Sequence, residues 1–160
     1  MARLFRNNAA LVYSSLIFIS MAHSQKSQSD DASAIRGSWV IESIYRTPNI
    51  QGPSPAEQKK LVGSRITYGD RTLESCGQSV PITSTDEFQV DSADFLANTL
   101  VRFSDVEVDA QVVTEVVLNN RQAGRCFEAF PLPGQDVYLK SKDELLISFE
   151  GVFYRALRKK

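Results

Sequence analysis

From Ser38 onward the apolar positions fall in short runs, many of them alternating with polar ones. Ser38 to Arg46 (SWVIESIYR) is rich in β-branched and aromatic residues and half alternating, which predicts a strand. A Pro/Gly loop follows from Asn49 to Pro55. Ser54-Pro55-Ala56-Glu57 then carries a helix start: Ser as N-cap, Pro at the first helical position and Glu three residues after the cap. With Gly63 as the stop, the spacing predicts a helix of about two turns over Pro55 to Val62. Arg65 to Tyr68 and Arg71 to Glu74 read as strands around Gly69-Asp70, and Gln78 to Thr83 as another. Ser92 to Ala97 reads as one helical turn capped by Asp91 or Ser92. Val101 to Asp109 and Gln111 to Leu118 alternate as two further strands.

The C-terminal third has the clearest pattern. Asp136 to Lys140, Glu144 to Phe149 and Val152 to Leu157 are predicted strands, with tight turns at Ser141-Lys142 and Glu150-Gly151. A two-residue turn at Glu150-Gly151 sets Phe149 against Val152, Ile147 against Tyr154 and Leu145 against Ala156. Side chains alternate along a strand, so all six share one face, with Asp143 facing Arg158 at its far end. Seven to nine short strands with few helices argue for an all-β, antiparallel sandwich or barrel.

The start of the chain changes the compartment. Met1 to Arg6 carries two arginines and no acid, Ala9 to Ala22 is largely apolar, and small residues follow at Ser20-Met21-Ala22 and Ala22-His23-Ser24. This is the layout of a secretory signal peptide over residues 1–24, and the apolar run is too short for a stable membrane span. Residues 25–34 read as a flexible polar lead-in and 35–160 as one domain. The expected location is exported, periplasmic or extracellular. Eighteen Lys+Arg against nineteen Asp+Glu give a net charge of −1, which offers no basic face for nucleic acid. Export makes the two cysteines, Cys76 and Cys126, an expected disulfide. Two thiolates with no nearby histidine make a poor metal site, and there is no CxxC for a redox pair.

Gly37-Ser38-Trp39 opens the first predicted strand after a short polar lead. This resembles the Gly-x-Trp signature of lipocalins and the wider calycin barrels. Leu61-Val62-Gly63-Ser64-Arg65-Ile66, Cys76, Leu145-Leu146-Ile147 and Glu150-Gly151-Val152-Phe153-Tyr154 extend the likeness to small secreted lipocalin-like bacterial proteins, over Ile35 to Lys160. The resemblance implies an antiparallel up-and-down β-barrel of about eight strands, with one or two short helices and a ligand cavity. It also implies that Trp39 plugs the closed end under an Arg of the last strand. The hairpin register puts Arg158 beside the start of the first strand, where it can stack on Trp39 with about 0.5–2 kcal/mol of cation–π energy. The candidate cavity lining is Tyr45, Ile147, Phe149 and Tyr154, although aromatics in such a pattern more often simply fill a core.

Most catalytic constellations are absent. The only histidine is His23, in the leader or at its edge, so Ser-His-Asp and Cys-His sites cannot form in the body. No phosphate loop, cofactor motif or zinc motif occurs, and no cofactor, metal or enzyme activity is expected. Asp105, Glu107 and Asp109 alternate with Val106 and Val108, which reads as the solvated face of a strand or as an acid/base site. Asp86, Glu87, Asp91 and Asp94 read as a solvated acidic loop. Arg155 points opposite to Tyr154; a register shifted by one would instead turn it inward, toward a lipid carboxylate. Pro131-Leu132-Pro133-Gly134 is an extended, semi-rigid loop. The leading expectation is an exported lipocalin-like protein binding a small apolar or amphipathic ligand. The alternative is a protein-binding module, such as an inhibitor of an envelope or host hydrolase, acting on a protein partner. A carboxylate enzyme comes third.

Overall fold

Alternation of apolar residues from Gly37 to Arg158 produces a curled antiparallel sheet, seen in a computed structural model that describes residues 31–45, 52–120 and 124–160. In chain order the elements are α1 (Asp31–Ala34), β1 (Gly37–Ile44), α2 (Pro55–Leu61), β2 (Arg65–Tyr68), β3 (Thr72–Ser75), β4 (Gln78–Pro81) and β5 (Ser84–Asp91). They continue with α3 (Ser92–Thr99), a 3₁₀ turn (Phe103–Val106), β6 (Val112–Asn119), β7 (Arg125–Cys126), β8 (Phe130–Pro131), β9 (Asp136–Ser141), β10 (Glu144–Phe149) and β11 (Val152–Arg158). The main sheet runs β4-β3-β2-β1-β11-β10-β9-β6-β5, and β7 and β8 form a separate pair. This is an all-β, up-and-down, barrel-like order. Its two ends, β4 and β5, are consecutive in the chain and do not pair. Ile82 donates its N–H to Arg71 on β3's side, and the next residue, Thr83, donates to Asn119 on β6's side. The circuit is therefore joined by the chain itself, and a seam stays open between β4 and β5.

The sheet is buried on both faces over β9, β10 and β11. The inner face holds Trp39, Ile41, Ile66, Leu73, Val116, Val137, Leu145, Ile147, Tyr154 and Ala156 in one core. The outer face holds Leu146, Phe153, Tyr138, Val113 and Tyr45 in a second core, covered by Phe95 of α3 and by Val101, Phe103, Val106 and Val108 after it. Phe95 packs edge-on to Tyr138 at 5.1 Å between ring centroids and lies 5.5 Å from Phe153. Strands covered on both faces carry continuous apolar runs rather than alternation, as in Leu145-Leu146-Ile147 and Val152-Phe153-Tyr154.

The β10–β11 hairpin has the expected register: Phe149 pairs with Val152, Ile147 with Tyr154 and Leu145 with Ala156. α2 carries the expected capping box between Ser54 and Glu57. Other expectations are corrected. Val101 to Asp109 is not a strand. Leu100 and Glu107 adopt left-handed backbone, and Phe103 to Val106 winds into a 3₁₀ turn whose Asp105 side chain accepts from the Arg102 N–H. Asp105, Glu107 and Asp109 therefore share no strand face. Conversely, of Asp86, Glu87, Asp91 and Asp94, expected as a solvated acidic loop, the first three lie on strand β5, laddered along its whole length with β6, and Asp94 lies in the first turn of α3. The turn before β10 is Lys142-Asp143, one residue later than expected. The expected lead-in ends in α1 and the buried Ile35. The leader at 1–24, residues 25–30, and Arg46 with the loop up to residue 51 lie outside the described residues.

Candidate functional site

The closed end is built from Gly37, Trp39 and Arg158. Trp39 pairs with Arg158 across β1 and β11, and the Arg158 guanidinium lies 4.1 Å from the Trp39 ring centroid. The guanidinium also donates to three backbone carbonyls: Lys142 O at 2.8 Å, Ala34 O at 2.6 Å and Arg36 O. Gly37, at φ +111°, leaves room for it, since a Cβ there would stand 3.1 Å from Arg158 Nη1. The indole N–H of Trp39 donates to Ile35 O at 2.6 Å. Arg158 thus ties the segment before β1, the β9–β10 turn and the last strand to one ring.

The interior is filled. Ile147 and Tyr154 expose 0% of their surface and Phe149 3%, so no solvent-filled space lies against them. Tyr45 sits on the opposite face of the sheet, in the outer core. The four expected lining residues therefore do not line a common cavity. What fills the space is partly the excursion between β6 and β9. Leu132 is 1% exposed, and Tyr68 donates its hydroxyl to Gly134 O at 3.0 Å. At Gly134, φ +95°, a Cβ would stand 2.8 Å from that hydroxyl. Pro131 to Gly134 is thus a plug rather than an exposed loop. A disulfide between Cys76 and Cys126 pins the plug to the β3–β4 turn, beside a two-way contact between the Gln78 amide and the Arg125 backbone. The Tyr154 hydroxyl is buried in the inner core without a hydrogen-bond partner, and burial raises its pKa.

Two polar groups sit on the outer face. Lys140 bridges Glu144 at 2.7 Å and donates to Tyr45 Oη at 3.0 Å and Val106 O at 3.1 Å. Burial opposes its charge, but Glu144 and Tyr45 outweigh that and raise its pKa. Burial likewise opposes the Glu144 carboxylate, and Arg155 and Lys140 reverse the sign. Arg155 points outward and pairs with Glu42 at 2.6 Å as well as with Glu144. This network clamps the 3₁₀ turn onto the sheet. Further along β9, Asp136 is largely buried, and its Oδ1 has no partner. Burial, then the charge of Glu115, push its pKa up to about 7. Tyr138 donates to Glu115 Oε1 at 2.6 Å.

Shallow grooves among the described residues include ones of about 470, 330 and 300 Å³, and none of these is lined by Tyr45, Ile147, Phe149 or Tyr154. The smallest lies at the seam, between Arg36 and Asp70–Arg71 on one side and Thr83–Thr85 on the other. From that point, among the described residues, β5 is laddered with β6 alone. Its residues are mostly exposed, including Phe88 at 49%. Leu118 donates its N–H to Gln135, on β9's side of β6. Hydrogen-bonded pairs alternate along an antiparallel ladder. Ser84, Asp86, Phe88 and Val90 therefore bond across to β6, and Thr85 and Gln89 turn their backbone groups toward the open side. Among the described residues, no cluster of three or more His, Cys, Asp or Glu is arranged to hold a metal ion, and no helix is long and apolar enough to cross a membrane. Comparison of the chain with protein-family models, with curated proteins and with solved structures finds no match. The β5 edge was not legible beforehand, because an exposed edge strand with one buried residue, Val90, has no apolar period to read.

Proposed function

We propose that this is an exported, lipocalin-like protein whose filled barrel acts as a protein-binding module, with the β5 edge as its contact. The observation that carries the reading is the eight-residue strand β5, which among the described residues is laddered with β6 alone, beside a packed interior. An extended segment of a partner can add to such an edge, main-chain hydrogen bonds giving affinity and alternate side chains giving specificity. A carrier of a small apolar ligand calls for a cavity at Ile147, Phe149 and Tyr154, where the core is closed. The Cys76–Cys126 disulfide supports export to an oxidising compartment. The Trp39–Arg158 stack supports the lipocalin-like kinship.

The test places a photo-reactive phenylalanine analogue at position 88 in the protein made by its own host. A protein adduct that disappears when Gln89→Pro is added supports the reading. Absence of an adduct overturns it. So does recovery of the mature protein with a bound apolar molecule of a few hundred daltons in native mass spectrometry.

A further inference from the structure

Cys76 and Gly77 form the two-residue turn between β3 and β4, both with positive φ, +50° and +71°. Such turns favour Asn, Asp or Gly at the first place, so the cysteine is there for its sulfur rather than for the turn. At the other end of the disulfide, Phe127 and Glu128 in the β7–β8 turn stand at φ +54° and +62°, backbone that bulky side chains rarely adopt. The two sulfurs also differ in access. Cys126 is 3% exposed. Cys76 is half-buried and lines the groove of about 470 Å³ with Gly77 and Gln78. A Cβ at Gly77 would meet nothing within 4 Å, so the approach to the turn is open. β7 and β8 pair with each other and, among the described residues, with no strand of the main sheet. The plug is seated by the disulfide, by Gln78 on the Arg125 backbone, by Tyr68 on Gly134 O, and by the packing of Leu132 and Phe130.

Disulfides that are reachable and held by strained backbone are the ones that exchange. We propose that Cys76 is a thiol-exchange site and that its disulfide is a latch on the plug, opened by a dithiol of the CxxC class in a partner oxidoreductase. One thiolate of the dithiol attacks the Cys76 sulfur, and Cys126 leaves as a thiolate with the electron pair of the S–S bond. The second thiol of the dithiol attacks the mixed disulfide and releases Cys76. The dithiol ends oxidised to a disulfide, its two protons passing to Cys76 and Cys126, which end as thiols. Phe127 and Glu128 then relax, and the β7–β8 hairpin lifts from Phe149, against which Phe130 packs edge-on at 6.2 Å. The main sheet keeps its ladders, because the plug has no strand in it. This goes beyond the protein-binding reading and does not depend on it.

The test treats the oxidised full chain with dithiothreitol in the absence of denaturant. Alkylation followed by mass spectrometry reads the thiols, and peptide-resolved amide exchange reads the fold. Both cysteines are expected to be reduced without denaturant. Exchange over residues 124–134 is expected to rise by roughly tenfold or more, while β1, β10 and β11 keep their protection. Glutathione, a monothiol, marks the sulfur that is attacked: after an acid quench the mixed disulfide is expected on Cys76. Reduction that needs denaturant overturns the inference, and so does exchange that rises across the whole sheet or stays unchanged over 124–134. A glutathione adduct on Cys126, or on both cysteines equally, overturns the assignment of Cys76 as the site.

Discussion

Asp136 offers a sharp test of the energetics. It lies on β9 with Oδ1 unpartnered, near Glu115 of β6 and hydrogen-bonded with Ser148 of β10, and its carboxyl is pushed up to about 7, by burial first and then by Glu115, against the opposing Ser148 contact. In the unfolded chain an Asp titrates near 3.9. The folded state therefore holds the proton over a pH range where the unfolded state has released it. Between about pH 4 and 7 the folded state binds more protons, so this group makes stability fall as pH rises and then level off above 7. Three units at 1.36 kcal/mol each set an upper bound of about 4 kcal/mol, and a coupled pair gives about 2–4. Asp136→Asn keeps the shape and removes the titration. Urea unfolding of both proteins from pH 4 to pH 8 is the assay. The difference between the two curves isolates Asp136 from oppositely shifted groups such as Glu144, whose pKa is lowered. The variant should gain on the wild type by about 2–4 kcal/mol across that window. Parallel profiles would show that the carboxyl is solvated or paired, and the argument from burial would fail.

Three other perturbations have defined outcomes. Arg158→Lys removes the stack on Trp39 and the planar fork that reaches three carbonyls, so urea unfolding should report a loss of about 2 kcal/mol; a loss under about 0.5 would mean the stack is ornamental. Replacing Cys76 and Cys126 together by Ala opens a loop with a sequence separation of 50 and should cost about 4 kcal/mol in the chain-entropy model, and an unchanged melting temperature would contradict the plug's tether. Tyr154→Phe removes a buried hydroxyl with no partner, so it should be neutral or stabilising by up to about 1–2 kcal/mol; a clear loss in a melting experiment would reveal a partner for that oxygen.

How far the sequence was legible depended on how many neighbours each segment has. The β10–β11 hairpin was readable because a tight turn at Glu150-Gly151 fixes register locally. The same register set Arg158 over Trp39, so the closed end followed from two short motifs. The helix at Pro55 was readable from its own cap. The outer core was missed because Leu146 and Phe153 sit inside unbroken apolar runs, where period two carries no information. The 101–109 segment was misread because Phe103, Val106 and Val108 alternate well enough for a strand. What decides the matter is Phe95, packed over them from α3. The cavity expectation failed for a tertiary reason too: nothing local to Leu132 or Gly134 says that they fold inward under Tyr68.

The pairing of the first strand with the last also sets the order of events during synthesis. Arg158 reaches back to Ala34, 124 positions earlier, and β1 finds one of its two neighbours only in β11. Contacts of such long sequence separation make folding slow, because chain entropy is lost before any contact repays it. A nascent chain that has not yet released β11 lacks the strand that lies against Trp39 and Ile41. The curled sheet is thus held unfinished until β11 has been made, so the core around Trp39 and Ile41 closes late rather than strand by strand.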